Sequence, residues 1–250
     1  MRNGFFPIFT KGRVLKKESI EYLRDFPYDL ATLAWDDYSD GVLGGFKVSI
    51  KEDCIVVGQG ALKYKGNIIL VNETVSILSE YGRLMYIKVA IGKYQETEDF
   101  KLCPIEIKID KSKPLHDNEI ELGRFCLESG AQLRCKYDSF YDLRTEENTL
   151  DLTRTPYAGR GTPTLHPRVL KEFAQALLTS SQDATDTAFA LICLNTDVVS
   201  KSSIEWYLAK RNHIEYKKYG LEQLYDKLAE MLPGKKTKAE RPRGRWPSIT

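Results

Sequence analysis

The sequence lacks the features that mark membrane, secreted and metal-binding proteins. No apolar run approaches the roughly 20 residues that a membrane-spanning helix needs, so we expect no membrane partner. Residues 1–17 contain no apolar segment of signal-peptide length, which favours folding in a cytosol with reduced thiols. The five cysteines include no C-x-x-C pair, so neither a disulfide framework nor a zinc knuckle is indicated. Three histidines leave little material for a histidine-rich metal site.

Signatures of several enzyme classes are also missing. There is no G-x-S-x-G nucleophile elbow and no H-E-x-x-H zinc motif. The segment Gly159–Thr162 resembles a phosphate-binding loop but has no G-K-[ST] ending, which disfavours an NTPase or helicase. Gly58–Gly60 is a lone G-x-G before a predicted hairpin, with no helix to face a pyrophosphate. We therefore predict no catalytic residue, no cofactor and no metal ligand. A glycosidase-type pair of carboxylates stays open, because sequence alone does not pair them in space.

Three segments carry reactive residue types but fit a structural role better. The letters D-D-x-x-D in Asp36–Asp40 occur in Mg²⁺ and diphosphate sites, yet here they run into glycines and predicted strands, so we interpret them as a turn. Cys193 lies in an apolar run and is expected to be a buried, unreactive thiol. His166 precedes Pro167 at a predicted helix start, which favours a role beside the helix cap.

The composition is that of a globular chain with an uneven charge distribution. Its 250 residues, 42% hydrophobic and 29% charged, suffice for one large domain or two small ones. The last 18 residues hold six basic side chains and one acidic one, a net charge of +5. Because the whole chain carries +2, the remaining residues carry −3, and a body of that charge is not typical of a nucleic-acid binder.

The basic tail allows three interpretations. It is a solvated terminus, or a peptide that orders on a partner subunit, or a segment that holds phosphates of a nucleic acid. Trp246 and Pro247 follow the charges and favour the docking peptide, whereas a single aromatic residue is a weak signal for base stacking. We therefore predict that Arg243, Arg245 and Trp246 bind a partner, and we disfavour nucleic acid.

The first half of the chain changes from helical periodicity to alternation. A helix is predicted before Pro27, which would end it, with Ile20, Leu23 and Leu15 on one face. Trp35–Gly41 is rich in turn formers. Short apolar runs predict strands at Phe46–Ile50, Cys54–Val57, Ala61–Tyr64, Ile68–Val71, Thr74–Leu78 and Leu84–Ile91, with two or three more between Pro104 and Lys136. The positions expected to need the backbone freedom of glycine are Gly41, Gly45, Gly58, Gly60 and Gly66.

Beyond residue 167 the apolar residues recur with helical spacing, which predicts three or four short helices. Pro167 suits the first position of the first helix, Asp183 is expected to cap the second, and Ser202–Glu205 fits a capping box for the third. The fourth is the clearest amphipathic stripe of the chain and ends at Pro233–Gly234. The apolar residues that mark these helices are Leu170, Phe173 and Leu177, then Ala188, Leu191 and Ile192, then Ile204, Tyr207 and Leu208, and finally Leu221, Leu224, Tyr225, Leu228 and Leu232.

These patterns predict an α+β protein in which an antiparallel β-rich domain, a small sandwich or an open barrel, precedes a helical domain. The predicted divisions are an N-terminal helix and connecting segment at 1–40, the β-rich domain at 41–150, a Gly/Pro/Thr-rich connector at 151–167, the helical domain at 168–232 and the basic flexible tail at 233–250.

Two stretches of the β-rich half, Tyr38–Phe46 and Ile55–Leu70, resemble a recurring phage-tail pattern in which a D-G…G segment precedes a glycine-bounded hairpin. The pattern is similar to β-domains of baseplate-associated and fibre-type proteins in Firmicutes prophages and phage-tail-like bacteriocins. Pro163–Pro167 and Phe189–Asn195 resemble the second half of such proteins. The resemblance covers about half of the chain and implies a structural particle subunit, assembled in the bacterial cytoplasm, with other tail and baseplate subunits as partners. No catalytic residue carries over.

The leading hypothesis is therefore a structural, homo-oligomeric subunit of a contractile phage tail or phage-tail-like particle, at or near the baseplate and linking it to a fibre. One alternative is a nucleic-acid-associated protein that acts through the basic tail. Salt-dependent binding to a nucleic acid would favour it. Another is a carbohydrate-binding or carbohydrate-cleaving module on the β-rich domain, which an exposed aromatic platform beside a carboxylate pair would favour.

Overall fold

The computed structural model describes residues 7–52, 54–79, 81–111, 116–144 and 148–233. In those ranges the chain runs through one helix, then antiparallel strands, then helices, which confirms the predicted α+β order. The helices are α1 (Lys17–Ala34), α2 (Pro167–Ser180), α3 (Ala184–Asn195), α4 (Lys201–Arg211) and α5 (Leu221–Met231), with a short 3-10 helix at Phe140–Arg144. The strands are β1 (Gly41–Gly45), β2 (Val48–Lys51), β3 (Cys54–Val57), β4 (Gly60–Tyr64), β5 (Asn67–Val71), β6 (Val75–Leu78), β7 (Gly82–Ile91), β8 (Gln95–Glu96), β9 (Lys101–Leu102), β10 (Ile105–Asp110) and β11 (Glu119–Leu127).

The strands of this β module form three three-stranded antiparallel sheets, ordered β1-β4-β5, β2-β3-β6 and β10-β7-β11, and the short pair β8-β9. Strands β4 and β5 make the predicted hairpin, in which Tyr64 is paired with Asn67 across the turn. Strands β3 and β4 belong to different sheets, so Gly58–Gly60 carries the chain from one sheet to another. In the described ranges the sheets stay open and form no closed barrel.

One apolar core fills the β module. Its buried side chains come from all three larger sheets, because alternate residues of each strand point inward. The connector contributes to the same core through Leu152 and Tyr157. Representative members are Val42, Ile55, Leu62, Ile87, Phe125 and Leu150.

A second core holds the 3-10 helix and α2–α5, which we call the helical module. Phe140 of the 3-10 helix stacks on Tyr225 of α5 at 4.9 Å between ring centres and meets Phe173 of α2 edge-on at 5.4 Å. Phe189 of α3 stacks on Tyr207 of α4 at 4.0 Å. Such aromatic pairs add about 0.5–1.5 kcal/mol each to the burial of their surface. The 3-10 helix, which precedes residue 150, thus packs with the helices.

Helix α1 differs from the prediction at both ends. Pro27 does not end it, and the helix continues through Pro27 to Ala34. Leu15 precedes the first helical residue and so lies outside the predicted face. A proline inside a helix removes one hydrogen bond and costs about 3 kcal/mol or more. In α1 no residue is buried, so water can satisfy the carbonyl that Pro27 leaves without a partner.

The C-terminal helices confirm the predicted elements, with a correction at one cap. His166 precedes Pro167 as the N-cap of α2, and Asp183 caps α3 by accepting from the amides of Thr185 and Asp186. Helix α4 starts earlier than predicted, because Ser200 is its N-cap and accepts from the Ser203 amide. The expected capping box at Ser202–Glu205 is therefore wrong. The residue types fit the capping-box motif, but the Glu205 carboxylate accepts from the Tyr216 hydroxyl and the Tyr219 amide instead.

The predicted strand at Phe46–Ile50 starts too early. Phe46 has a φ of 48° and turns the chain between β1 and β2, and its ring lies over Gly60. A Cβ added at Gly60 would stand 2.3 Å from that ring, so Gly60 is needed for space rather than for backbone freedom. Gly41, Gly45 and Gly66 do have positive φ, as expected, but Gly58 and Gly60 do not.

Candidate contact surfaces

The residues predicted to bind a partner, Arg243, Arg245 and Trp246, lie outside the described residues, so their role stays a prediction. Among the described residues, no helix is both long and apolar enough to cross a membrane. No group of three or more His, Cys, Asp or Glu side chains is placed to hold a metal ion within those ranges.

The acidic segment Asp36–Asp40 forms a turn that is held by a buried lysine. The Lys63 ammonium, on β4, donates to the backbone carbonyls of Trp35, Asp36 and Tyr38 at 2.6, 2.8 and 2.8 Å. Lys63 is 6% exposed, so its charge is balanced by these carbonyl dipoles away from water. The lysine is therefore bound by backbone carbonyls, as expected of a turn, and not by the aspartate side chains. The sequence offered no sign of this clamp, because Lys63 looks like an ordinary polar position of a strand.

The connector is tied to the β module by its backbone. The Val42 amide of β1 donates to the Pro156 carbonyl of the connector, and the Ala158 amide donates to the Val42 carbonyl. The Gly161 amide donates to the carbonyl of Asp37 at 2.8 Å. A phosphate-binding loop would point this amide at its ligand, but here the amide is already hydrogen-bonded within the protein. The resemblance of Gly159–Thr162 to a phosphate loop is therefore superficial.

Two arginines hold α5 to the rest of the chain. Arg154 of the connector donates to Glu222 in the first turn of α5. Arg144 of the 3-10 helix donates to Asp226 at 2.6 Å, and its guanidinium lies 4.5 Å from the centre of the Tyr225 ring. Because these pairs are partly exposed, each contributes at most about 1 kcal/mol. Their main effect is to fix the direction of α5.

Arg124 of β11 adds a third positive charge beside Arg154. It donates two 2.6 Å hydrogen bonds to Glu121, and its guanidinium lies 4.9 Å from the centre of the Tyr86 ring. Burial and then repulsion from Arg124 lower the pKa of Arg154. Carboxylates already accompany the arginines here, so the cluster is a structural joint between the β module and the helical module.

The two side chains that were weighed for chemistry, the buried Cys193 and the half-buried His166, take structural roles. Burial raises the pKa of the Cys193 thiol to about 12, so it stays protonated, as expected of an unreactive cysteine. The His166 Nδ1 accepts from the Arg168 amide at 3.0 Å, and its ring meets Tyr157 edge-on at 4.7 Å. Burial and then the charge of Arg168 lower the pKa of His166 to about 3. His166 is therefore a neutral cap at the joint between connector and α2.

This cap predicts a pH dependence of stability. The unfolded chain binds a proton at His166 below its ordinary pKa of about 6.5, whereas the folded chain does not until about pH 3. Stability is therefore complete above about pH 6.5 and is lost as the pH falls, by at most about 1.4 kcal/mol per pH unit. Urea unfolding between about pH 7 and pH 5 measures this slope.

The matched variant is His166→Asn, which keeps an acceptor at the cap but does not titrate. Its free energy of unfolding is expected to change less over the same pH range. His213→Asn is the control, since His213 is exposed at a φ of 54° that asparagine tolerates. Parallel pH profiles for the wild type and His166→Asn would contradict the assignment.

The outward face of α3 is apolar and carries no charge. Phe189, Ala190 and Cys193 fill the core side of this helix. The residues that marked the helix in the sequence point the other way: Leu191 is 55% exposed and Ile192 is 50% exposed. Asp186, the one charged residue within α3, is buried. An apolar face with no charge is unusual for a helix at a protein surface and is typical of a contact surface.

A second exposed hydrophobic position lies on α4. Trp206 is exposed, its ring lies 4.7 Å from the Tyr216 ring in a tilted arrangement, and the Lys210 ammonium lies 5.7 Å from its ring centre. The neighbouring Glu205 carboxylate accepts from the Tyr216 hydroxyl and the Tyr219 amide, so it is not held ready for a ligand. Trp206 belongs to the helical module, whereas the carbohydrate hypothesis placed its aromatic platform on the β module.

Comparisons with known proteins give little beyond this geometry. Neither a described protein family nor a curated protein matches the sequence. Among solved structures, the chain is similar to the crystal structure of TssK, with a TM-score of 0.40 and 8% sequence identity over 90% of this chain and 69% of that chain. A likeness at that TM-score and identity is too low to bear on function.

Proposed function

We propose that this chain is a structural subunit of a contractile phage tail or phage-tail-like particle, at or near the baseplate, where it links the baseplate to a fibre. In this proposal it works through contact surfaces rather than catalysis, and it associates with copies of itself and with other tail subunits. It is assembled in the bacterial cytoplasm and then stays in the particle.

The observation that carries the proposal is the uncharged outward face of α3. The helices are linked to the β module through the connector, whose Arg154 pairs with Glu222 of α5 and whose backbone bonds to β1. A surface held in one orientation loses little entropy on binding, which suits a subunit that must fit a large assembly. The segments that resemble tail proteins contain β1, β3 and the β4–β5 hairpin.

Charge placed on this face is expected to prevent incorporation without unfolding the chain. Leu191→Asp with Ile192→Asp adds two carboxylates where the proposal puts an apolar partner, and burying them unpaired costs several kcal/mol. Both side chains are exposed in the isolated chain, so its thermal midpoint should change by only a few degrees. Mass spectrometry of purified particles measures how much of the variant they contain.

The matched control is Leu78→Asp, which changes an exposed leucine on β6 of the β module. We expect it to enter particles at the wild-type level. Normal incorporation of the α3 double variant would contradict a role for this face. Absence of the wild-type chain from particles purified from its own host would contradict the particle role itself.

The predicted role of the tail has its own test. A chain that ends after Gly234 loses Arg243, Arg245 and Trp246 but keeps the described fold. If the tail clasps a neighbouring subunit, particles made with the shortened chain should be incomplete or contain less of it. Assembly at native stoichiometry would show that the tail is dispensable.

A further inference from the structure

Helix α1 rests on the β module by its polar edge. The Tyr28 hydroxyl donates to the Asn67 side-chain carbonyl at 3.3 Å, in the turn that leads into β5. Thr32, one turn further along, is half-buried on the same edge. None of the 18 residues of the helix is buried. The contact that holds α1 therefore uses little of its apolar surface.

The apolar side of α1 faces away from the body of the chain. Its residues follow one another at alternating intervals of three and four, the spacing of a seam at which helices pack together. The seam residues are Ile20, Leu23, Pro27, Leu30 and Ala34, and Phe26 and Leu33 flank them. Their large side chains are between 48% and 74% exposed. We call this surface the α1 seam.

The direction of the seam is set by the chain itself. The Lys63 ammonium donates hydrogen bonds to the carbonyls of Trp35, Asp36 and Tyr38, immediately after the last turn of α1. The helix therefore leaves the β module from a fixed root. A helix of about this length that contains a proline is marginal in water, because most helices depend on packing of their apolar face. Within the described residues nothing covers the apolar face of α1.

We propose that the α1 seam packs against the α1 seam of a second copy of this chain. Heptad spacing makes a seam complementary to itself, since the knobs of one helix match the holes of an identical one. The seam positions carry no charge, so a copy meets no unpaired ion there. With the exposed Val14 and Leu15 before the helix, each copy offers a row of exposed large apolar side chains, and a specific interface needs at least about 600 Å² from each partner.

This inference names a surface for the self-association that belongs to the proposed function, yet it concerns the isolated chain. The experiment is analytical ultracentrifugation of the purified full-length protein over a wide concentration range. The wild type is expected to be oligomeric. Leu23→Glu with Leu30→Glu should raise the dissociation constant more than about tenfold and give a single-chain mass.

Leu78→Glu is the matched control, because Leu78 is exposed on β6, which belongs to a different sheet from β5, the strand that α1 contacts. This variant should keep the wild-type mass. The thermal midpoint of the β module should be unchanged in all variants, since none of the replaced side chains is buried. A monomeric wild type, or a seam variant that associates as the wild type does, would overturn the proposal. A seam that binds only a different tail subunit would overturn it too, but would leave the particle role standing.

Discussion

Lys63→Met is expected to lower the free energy of unfolding by about 3 kcal/mol. The ammonium is the common donor to three carbonyls between Trp35 and Tyr38, and methionine fills the space without a donor. Buried carbonyls left unpaired are costly, and a hydrogen bond from a charged group contributes about 1.5–3 kcal/mol. Urea denaturation measures the loss, and limited proteolysis between residues 35 and 40 measures how far the root of α1 has loosened.

Lys47→Met is the control, because the Lys47 side chain is exposed beside the turn at Phe46. Its free energy of unfolding should change by less than about 0.5 kcal/mol. The variant at Lys63 should also weaken self-association if the clamp directs the α1 seam. Equal stability of the two variants would mean that water replaces the ammonium at the three carbonyls.

Asp186→Ala is the second change with a large expected effect, about 3 kcal/mol of destabilisation. The buried carboxylate accepts from the Ser181 hydroxyl at 2.5 Å, the Tyr207 hydroxyl at 2.9 Å and the Arg211 Nε at 2.8 Å. These bonds join the end of α2, the start of α3 and the face of α4. Without the carboxylate, three donors lose their acceptor and the orientation of α3 is no longer fixed.

The pKa of Tyr207 reports on its contact with Asp186. Burial and then the hydrogen bond to Asp186 raise the pKa of the Tyr207 phenol. In Asp186→Ala that phenol should ionise at lower pH, which an absorbance titration detects. Asp197→Ala is the control, since the Asp197 side chain is fully exposed and lies 3.7 Å from Lys171. A titration of Tyr207 that is the same in both variants would show that burial alone sets its pKa.

The sequence was sufficient for the order of an N-terminal helix, antiparallel strands and C-terminal helices, but it did not predict β1, β8, β9 or the 3-10 helix. Short apolar runs between glycine and asparagine turns predicted β3–β7 within one or two residues. Asp183 and Pro167 marked helix starts, because their effects are local: one accepts backbone amides and the other has a preset φ. Two predictions failed for different reasons. Pro27 stays helical because water can satisfy the free carbonyl of the exposed helix α1. Glu205 does not form its expected cap because its carboxylate accepts from Tyr216 and Tyr219.

What the sequence determined by itself was therefore local: periodicity, caps, turns, and the lack of motifs for known chemistry. Only the tertiary structure decided which face of each helix points outward. Residues 188–194 of α3 are all apolar, so the sequence does not show that Leu191 and Ile192 are exposed while Phe189 is buried. The same holds for Lys63 and for the α1 seam, because a residue's environment depends on chain segments that are distant in sequence. Contact surfaces, unlike catalytic motifs, have no fixed spacing that a sequence must display.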